Sequence, residues 1–346
     1  MYKVTRLVKS VVRLFLPVAV SIVVLVMGAS VWLVHSTSTP PRNEYLVTPE
    51  VYGRLSSHAA QVTEETWQNR DGSSSRGWLL RGRKDYPAVI LLHKYGADRS
   101  YVLNLGVKLS EATDFTVLMP DQRGHGQNPP VQSTSFGGCE VNDTLAAIDY
   151  LRSLRDANRD NLVGEDIGIY GVEMGALAAL ATSSKDQSVR AVVLDSVPQQ
   201  SDDLIDTVVA KRYPFLSSVT SSMARNATYI YYAGSCYERQ SVCEVARTVK
   251  DRRALLLSGQ DVPGLKQSTD SMAGCFPSDT KVQSFTDLTA SGVDLVNVSP
   301  DKADSYDQKV IYFFQENLKT PPPPIVDDPA QGDEPASEGE EDSGEI

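Results

Sequence analysis

The chain has 346 residues, enough for one large domain with appendages, and 41% of them are hydrophobic, which allows a sizeable core. The formal net charge is −11 at pH 7, and this acidic balance excludes the strongly basic surface that nucleic-acid binding requires. Nine acidic residues and no basic residue lie in 326–346, so the rest of the chain is nearly neutral. We therefore expect no nucleic-acid partner.

An uncharged apolar run over 14–34 predicts a transmembrane anchor, because 21 helical residues reach ~31 Å, the thickness of a bilayer core. The basic residues before it are Lys3, Arg6, Lys9 and Arg13. We therefore expect a single-pass protein with residues 1–13 in the cytoplasm and the C-terminal domain exported. The alternative is a cleaved signal peptide with a small-residue site at 28–30. The apolar run continues to Val34, which favours the uncleaved anchor.

Composition divides the remaining chain into three parts. Residues 35–50 are polar and contain proline, which is typical of a linker. Residues 51–319 form the expected folded domain. Residues 320–346 are rich in proline and then in acidic residues, and we expect this tail to be disordered.

Residues 61–82 predict a β-hairpin around an Asp71-Gly72 turn, and short apolar runs then alternate with helical segments. The predicted strands are 88–92, 115–119, 167–170, 189–194 and 254–257. The predicted helices are 99–111, 140–154, 174–183 and 302–318. This alternation indicates an α/β fold with a mainly parallel central sheet and helices on both faces. Residues 196–250 interrupt it and are expected to form an inserted cap, in which 229–232 reads as a buried strand or an aromatic docking surface.

Four cysteines would meet an oxidising compartment if the domain is exported. Cys236 and Cys243 are near neighbours in the sequence and are the predicted disulfide. The alternative is four half-buried free thiols. The spacing is not that of a zinc site, and we expect no bound metal.

The segment 165–181 has the pattern of a strand, a glycine-flanked turn and an Ala/Leu helix. The glycines of the turn, Gly171 and Gly175, have the spacing of a nucleophile elbow, G-x-S-x-G. At the position of the serine, this chain has Glu173.

This layout resembles the α/β-hydrolase fold over roughly residues 60–319, in particular its serine-aminopeptidase and prolyl-oligopeptidase-like branch. Besides the elbow, five matches occur in the expected order along the chain. They are the hairpin with Asp71-Gly72 and Gly77-Trp78, the oxyanion-loop segment 91–96, the D-x-R-G-H-G turn 120–126, the helix before the elbow strand at 135–148, and the G-x-D-x-x-P-like segment 258–263.

The resemblance also implies a degenerate catalytic triad. Hydrolysis in this fold needs a nucleophile, a histidine base and an acid that orients the histidine. Glu173 occupies the nucleophile position, and only Asp261 matches the acid. The histidine is expected between the last strand and the last helix, but 296–306 contains none. All four histidines of the chain precede the elbow: His35, His58, His93 and His125.

The oxyanion loop has changed as well, because Lys94 replaces the glycine that usually follows His93. Since this loop borders the elbow in the family, we expect Lys94 and Glu173 to form an ion pair in the former catalytic centre. We expect Lys94, Tyr95, Glu173 and Met174 to bind a small ligand or a protein partner at the cleft, without a cofactor. The expected function is that of a membrane-anchored pseudo-hydrolase.

Three alternatives remain open. Glu173 could serve as acid or base in a rearranged site that hydrolyses a small ester, amide or peptide. The protein could instead act as an interaction module through its tail and linker. A metal could bind where strands end, although the D-x-R-G-H-G turn is normally structural in this fold. The residues at those ends are His93, Asp121, His125, Glu173, Asp195 and Asp261.

Overall fold

The computed structural model describes residues 2–42, 44–54, 56–237 and 239–321, with side chains from residue 12 onward. Most of the predicted acidic tail, from residue 322, lies outside the described residues. An eight-stranded sheet runs through the described domain in the order β1-β2-β4-β3-β5-β6-β7-β8. The strands are β1 (Thr63–Gln68), β2 (Ser74–Leu80), β3 (Tyr86–Leu92), β4 (Thr116–Pro120), β5 (Val163–Val172), β6 (Val189–Asp195), β7 (Arg253–Gly259) and β8 (Lys281–Leu288).

The sheet is mainly parallel, as the alternating sequence pattern predicts. β2 is antiparallel to β1 and to β4, and the other neighbouring strands are parallel. β5 lies between β3 and β6, with Ile169 opposite Ile90 on one side and Val192 on the other. The carboxyl ends of these three strands therefore meet at one edge, where α/β sheets bind ligands.

Helices cover both faces of the sheet. The helices are α1 (Tyr2–Ser38), α2 (Pro49–Tyr52), α3 (Leu103–Thr113), α4 (Glu140–Ser153), α5 (Met174–Lys185), α6 (Ser201–Arg212), α7 (Ser217–Tyr231), α8 (Val242–Ala246), α9 (Pro263–Met272) and α10 (Pro300–Asn317). Alternate residues of β3 serve two cores: Ile90 and Leu92 pack with α4 and α5, whereas Val89 and Leu91 pack with α3 and α10. This arrangement confirms the predicted α/β architecture.

The segment between β6 and β7 contains α6, α7 and α8. The run at 229–232 ends α7 and is not a strand. Ile230 and Tyr231 are exposed, so the expectation of a buried strand is wrong there. Small residues on the opposite face of α7, Ser221, Ala224 and Thr228, are buried.

The N-terminal helix α1 continues beyond the predicted apolar run. Residues Val12–Ser38 are long and apolar enough to cross a membrane, judged by length and composition only. Its last turn contacts the domain: the Ser36 carbonyl accepts from Arg212 at 2.8 Å, and the Thr37 carbonyl accepts from the Tyr95 hydroxyl at 2.7 Å. Residues 35–38, which were expected in the linker, belong to the helix. Leu33 and the turn after it are buried against the domain, and this packing stabilises the helical end.

Two disulfides form, Cys139–Cys236 and Cys243–Cys275, and the predicted Cys236–Cys243 pairing is wrong. The physical reason is a helix start between the two residues. Ser241 caps α8, which carries Cys243 toward the turn that follows α9. Cys236 instead lies against Gly138, where an added Cβ would come 2.5 Å from the Cys236 carbonyl oxygen.

Candidate functional site

Glu173 stands alone between β5 and α5, with φ 52° and ψ −107°. This conformation is unfavourable for a residue with a side chain and is typical of a strained turn at a functional site. The backbone N–H of Glu173 donates to the Asp195 carbonyl at 2.9 Å. The turn thus has the strand–turn–helix geometry of a nucleophile elbow.

Both glycines of the turn are required by close packing. A Cβ on Gly171 would lie 2.2 Å from the Gly175 carbonyl oxygen, and a Cβ on Gly175 would lie 2.5 Å from the Leu92 carbonyl oxygen. Because these obstacles are backbone atoms, they cannot move aside as a flexible side chain could. The sequence spacing of the two glycines therefore reflects contacts within the elbow and between the elbow and β3.

The side chain of Glu173 turns back toward the loop after β3. Its carboxylate accepts a hydrogen bond from the Tyr95 backbone N–H at 3.1 Å. Burial raises the pKa of Glu173, while the charge of Lys94 and the Tyr95 N–H act in the opposite direction. The Glu173 carboxylate thus engages one backbone N–H donor of the segment 91–96, which resembles an oxyanion loop.

Lys94 lies near Glu173, but the expected ion pair is not formed. No ion pair within 4.0 Å joins the two side chains, both of which are described. The Lys94 ammonium instead donates to the Val293 carbonyl and lies 5.0 Å from the centre of the Tyr101 ring. Burial lowers the pKa of Lys94, and Glu173 partly opposes that shift. These two contacts hold the amino group toward the loop that precedes α10.

Asp261, the residue that matches the triad acid, has a serine as its partner. Its carboxylate accepts from the Ser291 N–H at 3.0 Å and from the Ser291 hydroxyl at 2.8 Å. Ser291 is buried in the loop between β8 and α10, a few residues before the stretch 296–306 in which the histidine was expected. A serine hydroxyl at this place cannot serve as the imidazole base. Sequence reasoning missed Ser291, because nothing local distinguishes it from the other polar residues of that loop.

The four imidazoles, all within the described residues, neither hydrogen-bond Glu173 nor line the cavities beside it. His93 bonds to the Lys94 carbonyl at 2.8 Å and accepts from the Gln122 N–H at 3.1 Å. His125 bonds to the Arg123 carbonyl at 2.9 Å. Burial lowers the pKa of His93 to about 4 and that of His125 to about 3, so both are neutral at pH 7. His125 is part of the turn after β4, and His93, from the loop after β3, packs against that turn.

Asp121 belongs to the same structural turn. Its carboxylate accepts from the Arg99 N–H at 3.0 Å and from Arg76 at 3.1 Å. Gly126 is needed beside it, since a Cβ there would lie 2.3 Å from an Asp121 oxygen. The described residues contain no group of three or more His, Cys, Asp or Glu side chains that could hold a metal ion. The strand-end residues are therefore not gathered into one ligand set in that part of the chain.

Asp195, at the end of β6, is the centre of a buried network below the elbow. It accepts from the Tyr306 hydroxyl at 2.5 Å and from the Gly292 N–H at 2.9 Å, and Tyr306 also bonds to Tyr170 at 2.9 Å. Burial raises the pKa of Asp195 to about 6. The network fixes the loop whose next residue, Val293, lines the cavities beside Glu173.

Two cavities of about 730 and 710 Å³ flank Glu173. The larger one is bounded by residues 39–41 after α1, by Lys94 and Tyr95, and by the end of α6 with Lys211 and Arg212. The second lies between α6 and α9, and Glu173 and Val293 line both cavities. Three of the four predicted binding residues, Lys94, Tyr95 and Glu173, are thus brought together.

Met174, the fourth predicted binding residue, lines neither cavity. Its side chain is buried in the core, and its sulfur accepts from the Thr134 hydroxyl at 3.2 Å. Met174 is the first residue of α5, and its side chain packs into the core and not into the cleft. Sequence reasoning also missed Lys211, Arg212 and residues 39–41, since their approach to the cleft depends on how α1 and α6 dock.

Comparison with known proteins agrees with this architecture. A sequence model of the alpha/beta hydrolase fold matches residues 87–220. An esterase structure from Pyrococcus furiosus is 19% identical, with a TM-score of 0.60 over 81% of this chain and 100% of that chain. The alpha/beta hydrolase GrgF from Penicillium sp. sh18 is 14% identical, with a TM-score of 0.55 over 74% of this chain and 99% of that chain. The chain thus has the α/β-hydrolase fold, as its motifs predict.

Curated relatives match shorter segments. Protein YfhR of Salmonella typhi is 30% identical over 44% of this chain and 53% of its own length. A thiohydrolase of Eupenicillium brefeldianum is 25% identical over 42% and 47%, and a thiohydrolase of Aspergillus aculeatus is 23% identical over 36% and 37%. The chain thus spans about half or less of these relatives' length.

Proposed function

We propose that this chain is a membrane-anchored α/β-hydrolase-fold protein that binds a ligand in the cleft beside Glu173 and does not carry out serine-type hydrolysis. One observation carries the proposal: a carboxylate stands at the elbow position where this fold places its nucleophile. The anchor is helix α1, and the exported domain carries the cap over the cleft.

The surroundings of Glu173 support a non-hydrolytic role. The serine-type triad of this fold uses an imidazole to activate the nucleophile or the water, and none of the chain's four histidines, all of which are described, lines the cavities beside Glu173. Asp261, which would orient that imidazole, is satisfied by Ser291. The Tyr95 N–H, which in an active site could stabilise a developing oxyanion, already donates to Glu173.

The cleft favours a small ligand with an anionic group. Lys94, Lys211 and Arg212 line the larger cavity, and Glu173 is the acidic residue on its wall. Apolar side chains complete the lining, among them Leu204, Val208 and Val293. A ligand with an acidic head and an apolar body would satisfy both kinds of wall.

A second candidate function is hydrolysis by a rearranged site in which Glu173 acts as acid or base. Two observations favour it: burial raises the pKa of Glu173, as catalysis near neutral pH would require, and several matched proteins are described as an esterase or thiohydrolases. In this function the carboxylate would accept a proton from water or donate one to a leaving group.

Turnover of esters, thioesters and aminoacyl amides by the purified full chain separates the two functions. We expect no turnover above the buffer rate, and the same result for Glu173→Gln and Glu173→Ser, because neither substitution supplies an imidazole. An exposed substitution, Glu316→Gln, serves as the matched control. Turnover that Glu173→Gln abolishes and Glu316→Gln retains would establish the second function.

A further inference from the structure

Helix α7 runs alongside the end of α1, and its direction can be read from contacts at its two ends. Near its start, the Tyr213 ring lies 5.3 Å from the Trp32 ring of α1. At its other end, the Tyr232 hydroxyl donates to the Thr134 carbonyl at 2.8 Å, and the Thr134 N–H donates to the Ser38 carbonyl at 2.8 Å. The start of α7 is therefore level with the apolar part of α1, and its end is level with the point where α1 finishes.

Three apolar side chains, two in the turn just before α7 and one in its first turn, are exposed. Phe215 is 99% exposed, Leu216 is 65% exposed and Val219 is 61% exposed. We call these three residues the apolar edge of the cap. A fully exposed phenylalanine beside two exposed aliphatic side chains forms a patch that soluble surfaces usually avoid. Tyr213, two residues before Phe215, contacts Trp32 of α1, and the surface of α1 beside Trp32 is apolar and exposed, with Val31 70% exposed.

The residues just before the apolar edge complete an interfacial pattern. Lys211 and Arg212 are exposed basic residues, and Tyr213 follows them. Basic side chains attract the phosphates of lipid headgroups, and Trp and Tyr rings favour the boundary between headgroups and acyl chains. Along 211–216, the basic residues thus suit the lipid headgroups, Tyr213 suits the boundary below them, and Phe215 and Leu216 suit the acyl chains.

We infer that the apolar edge of the cap inserts into the same bilayer that α1 crosses, so that the domain is held at two points. This inference rests on the proposed membrane anchor. Burial of Phe215, Leu216 and Val219 in lipid would stabilise the docked orientation, because it removes their apolar surface from water.

The two-point attachment sets where the cleft opens. Lys211, Arg212 and residues 39–41 line the larger cavity and lie within a few residues of the two membrane contacts. The cavity mouth then faces the headgroup layer, and an anionic amphiphile from that layer could enter without crossing bulk water. The cap helices and the anchor would move together, because Arg212 donates to the Ser36 carbonyl.

The test places a fluorophore at the edge of the full chain, reconstituted in phosphatidylcholine vesicles with its disulfides intact. A cysteine introduced as Phe215→Cys carries an environment-sensitive label, and Tyr312→Cys on α10, where Tyr312 is 65% exposed, is the matched control. We expect blue-shifted emission and loss of fluorescence with brominated lipids for the label at 215. The label at 312 should keep an aqueous spectrum and escape quenching.

Alkaline extraction of the same vesicles tests the anchor α1 separately from the apolar edge of the cap. If the chain resists extraction while the label at 215 behaves like the label at 312, the apolar edge lies in water and this inference is overturned, although the anchor stands. If energy transfer between labelled copies replaces lipid quenching, a second copy covers the edge, which also overturns it. If the chain is extracted, the proposed anchor itself fails.

Discussion

The carboxylate of Glu173 accepts a hydrogen bond from the backbone N–H of Tyr95 at 3.1 Å. One residue comes from the elbow and the other from the loop after β3, so the bond links two segments that border the larger cavity. It also supplies a partner for a carboxylate that burial disfavours. The Glu173 carboxylate therefore has a backbone hydrogen-bond partner at the cleft.

The pH dependence of stability should report the environment of Glu173. Burial raises its pKa in the folded protein, so the folded state holds a proton that the unfolded chain has already released. That stabilisation is complete below the unfolded pKa of about 4.3 and is lost as the pH rises through the folded value. Glu173→Gln should therefore gain stability relative to the natural chain as the pH rises from about 4 to 7. Chemical denaturation followed by circular dichroism measures the difference.

The exposed Glu316→Gln variant is the control for that experiment. Its stability difference from the natural chain should be the same across the pH range. If the stability difference between Glu173→Gln and the natural chain does not change with pH either, the Glu173 carboxylate is well solvated in the folded protein. That result would contradict the geometry described above.

Gly175 should not tolerate a methyl group. A Cβ there would meet the carbonyl oxygens of Leu92 and His93 at 2.5 and 2.8 Å. Gly175→Ala should lower the free energy of unfolding by roughly 1–3 kcal/mol, because β3 and α5 must move apart. Gly264→Ala is the matched control, since no atom lies within 4 Å of its added Cβ. Equal stability of the two variants, measured by urea denaturation, would argue against a tight elbow.

Tyr306→Phe should weaken the buried network around Asp195. The change removes the hydroxyl that donates to the carboxylate at 2.5 Å, and about 1–3 kcal/mol of stability should be lost. Because the pKa of Asp195 is raised to about 6, the loss should be larger above pH 6, where the carboxylate is ionised and needs its donors most. The exposed Tyr312→Phe should have no effect. A pH-independent loss would show that Asp195 remains protonated throughout.

A non-reducing peptide map should recover Cys139 linked to Cys236 and Cys243 linked to Cys275. These bridges close sequence separations of 97 and 32 residues, which the chain-entropy relation converts to roughly 5 and 4 kcal/mol. Removal of the first bridge should therefore lower the thermal midpoint more than removal of the second. A peptide that links Cys236 to Cys243 would restore the pairing expected from sequence.

Local sequence signals predicted most of the fold. The β-branched run before Gly171 predicts a strand, and the Ala/Leu run after Glu173 predicts a helix. The elbow between them could therefore be located from the sequence alone. β8 was missed because its residues alternate weakly and are mostly exposed, which leaves no apolar run to detect. Helix α7 was missed for a related reason, since its buried face consists of the small residues Ser221, Ala224 and Thr228 and leaves no stripe of large apolar residues to detect.

The site was predicted only in part, because its chemistry depends on contacts between distant segments. Asp261 could be placed by its motif, but its partner Ser291 could not, since the pairing depends on the register of the loop after β8. Lys94 lines the larger cavity, but its ammonium bonds to the Val293 carbonyl and not to Glu173, and that contact depends on the same loop. The disulfide partners likewise follow from how the cap folds onto the sheet.

The most direct test of the central claim is the rate of ester and thioester hydrolysis by the purified full chain, measured in parallel with Glu173→Gln. We predict that neither protein exceeds the buffer rate, because the elbow carries a carboxylate and none of the four histidines, all of which are described, bonds to it. Turnover by the natural chain that disappears in Glu173→Gln would contradict the account and make Glu173 a catalytic residue.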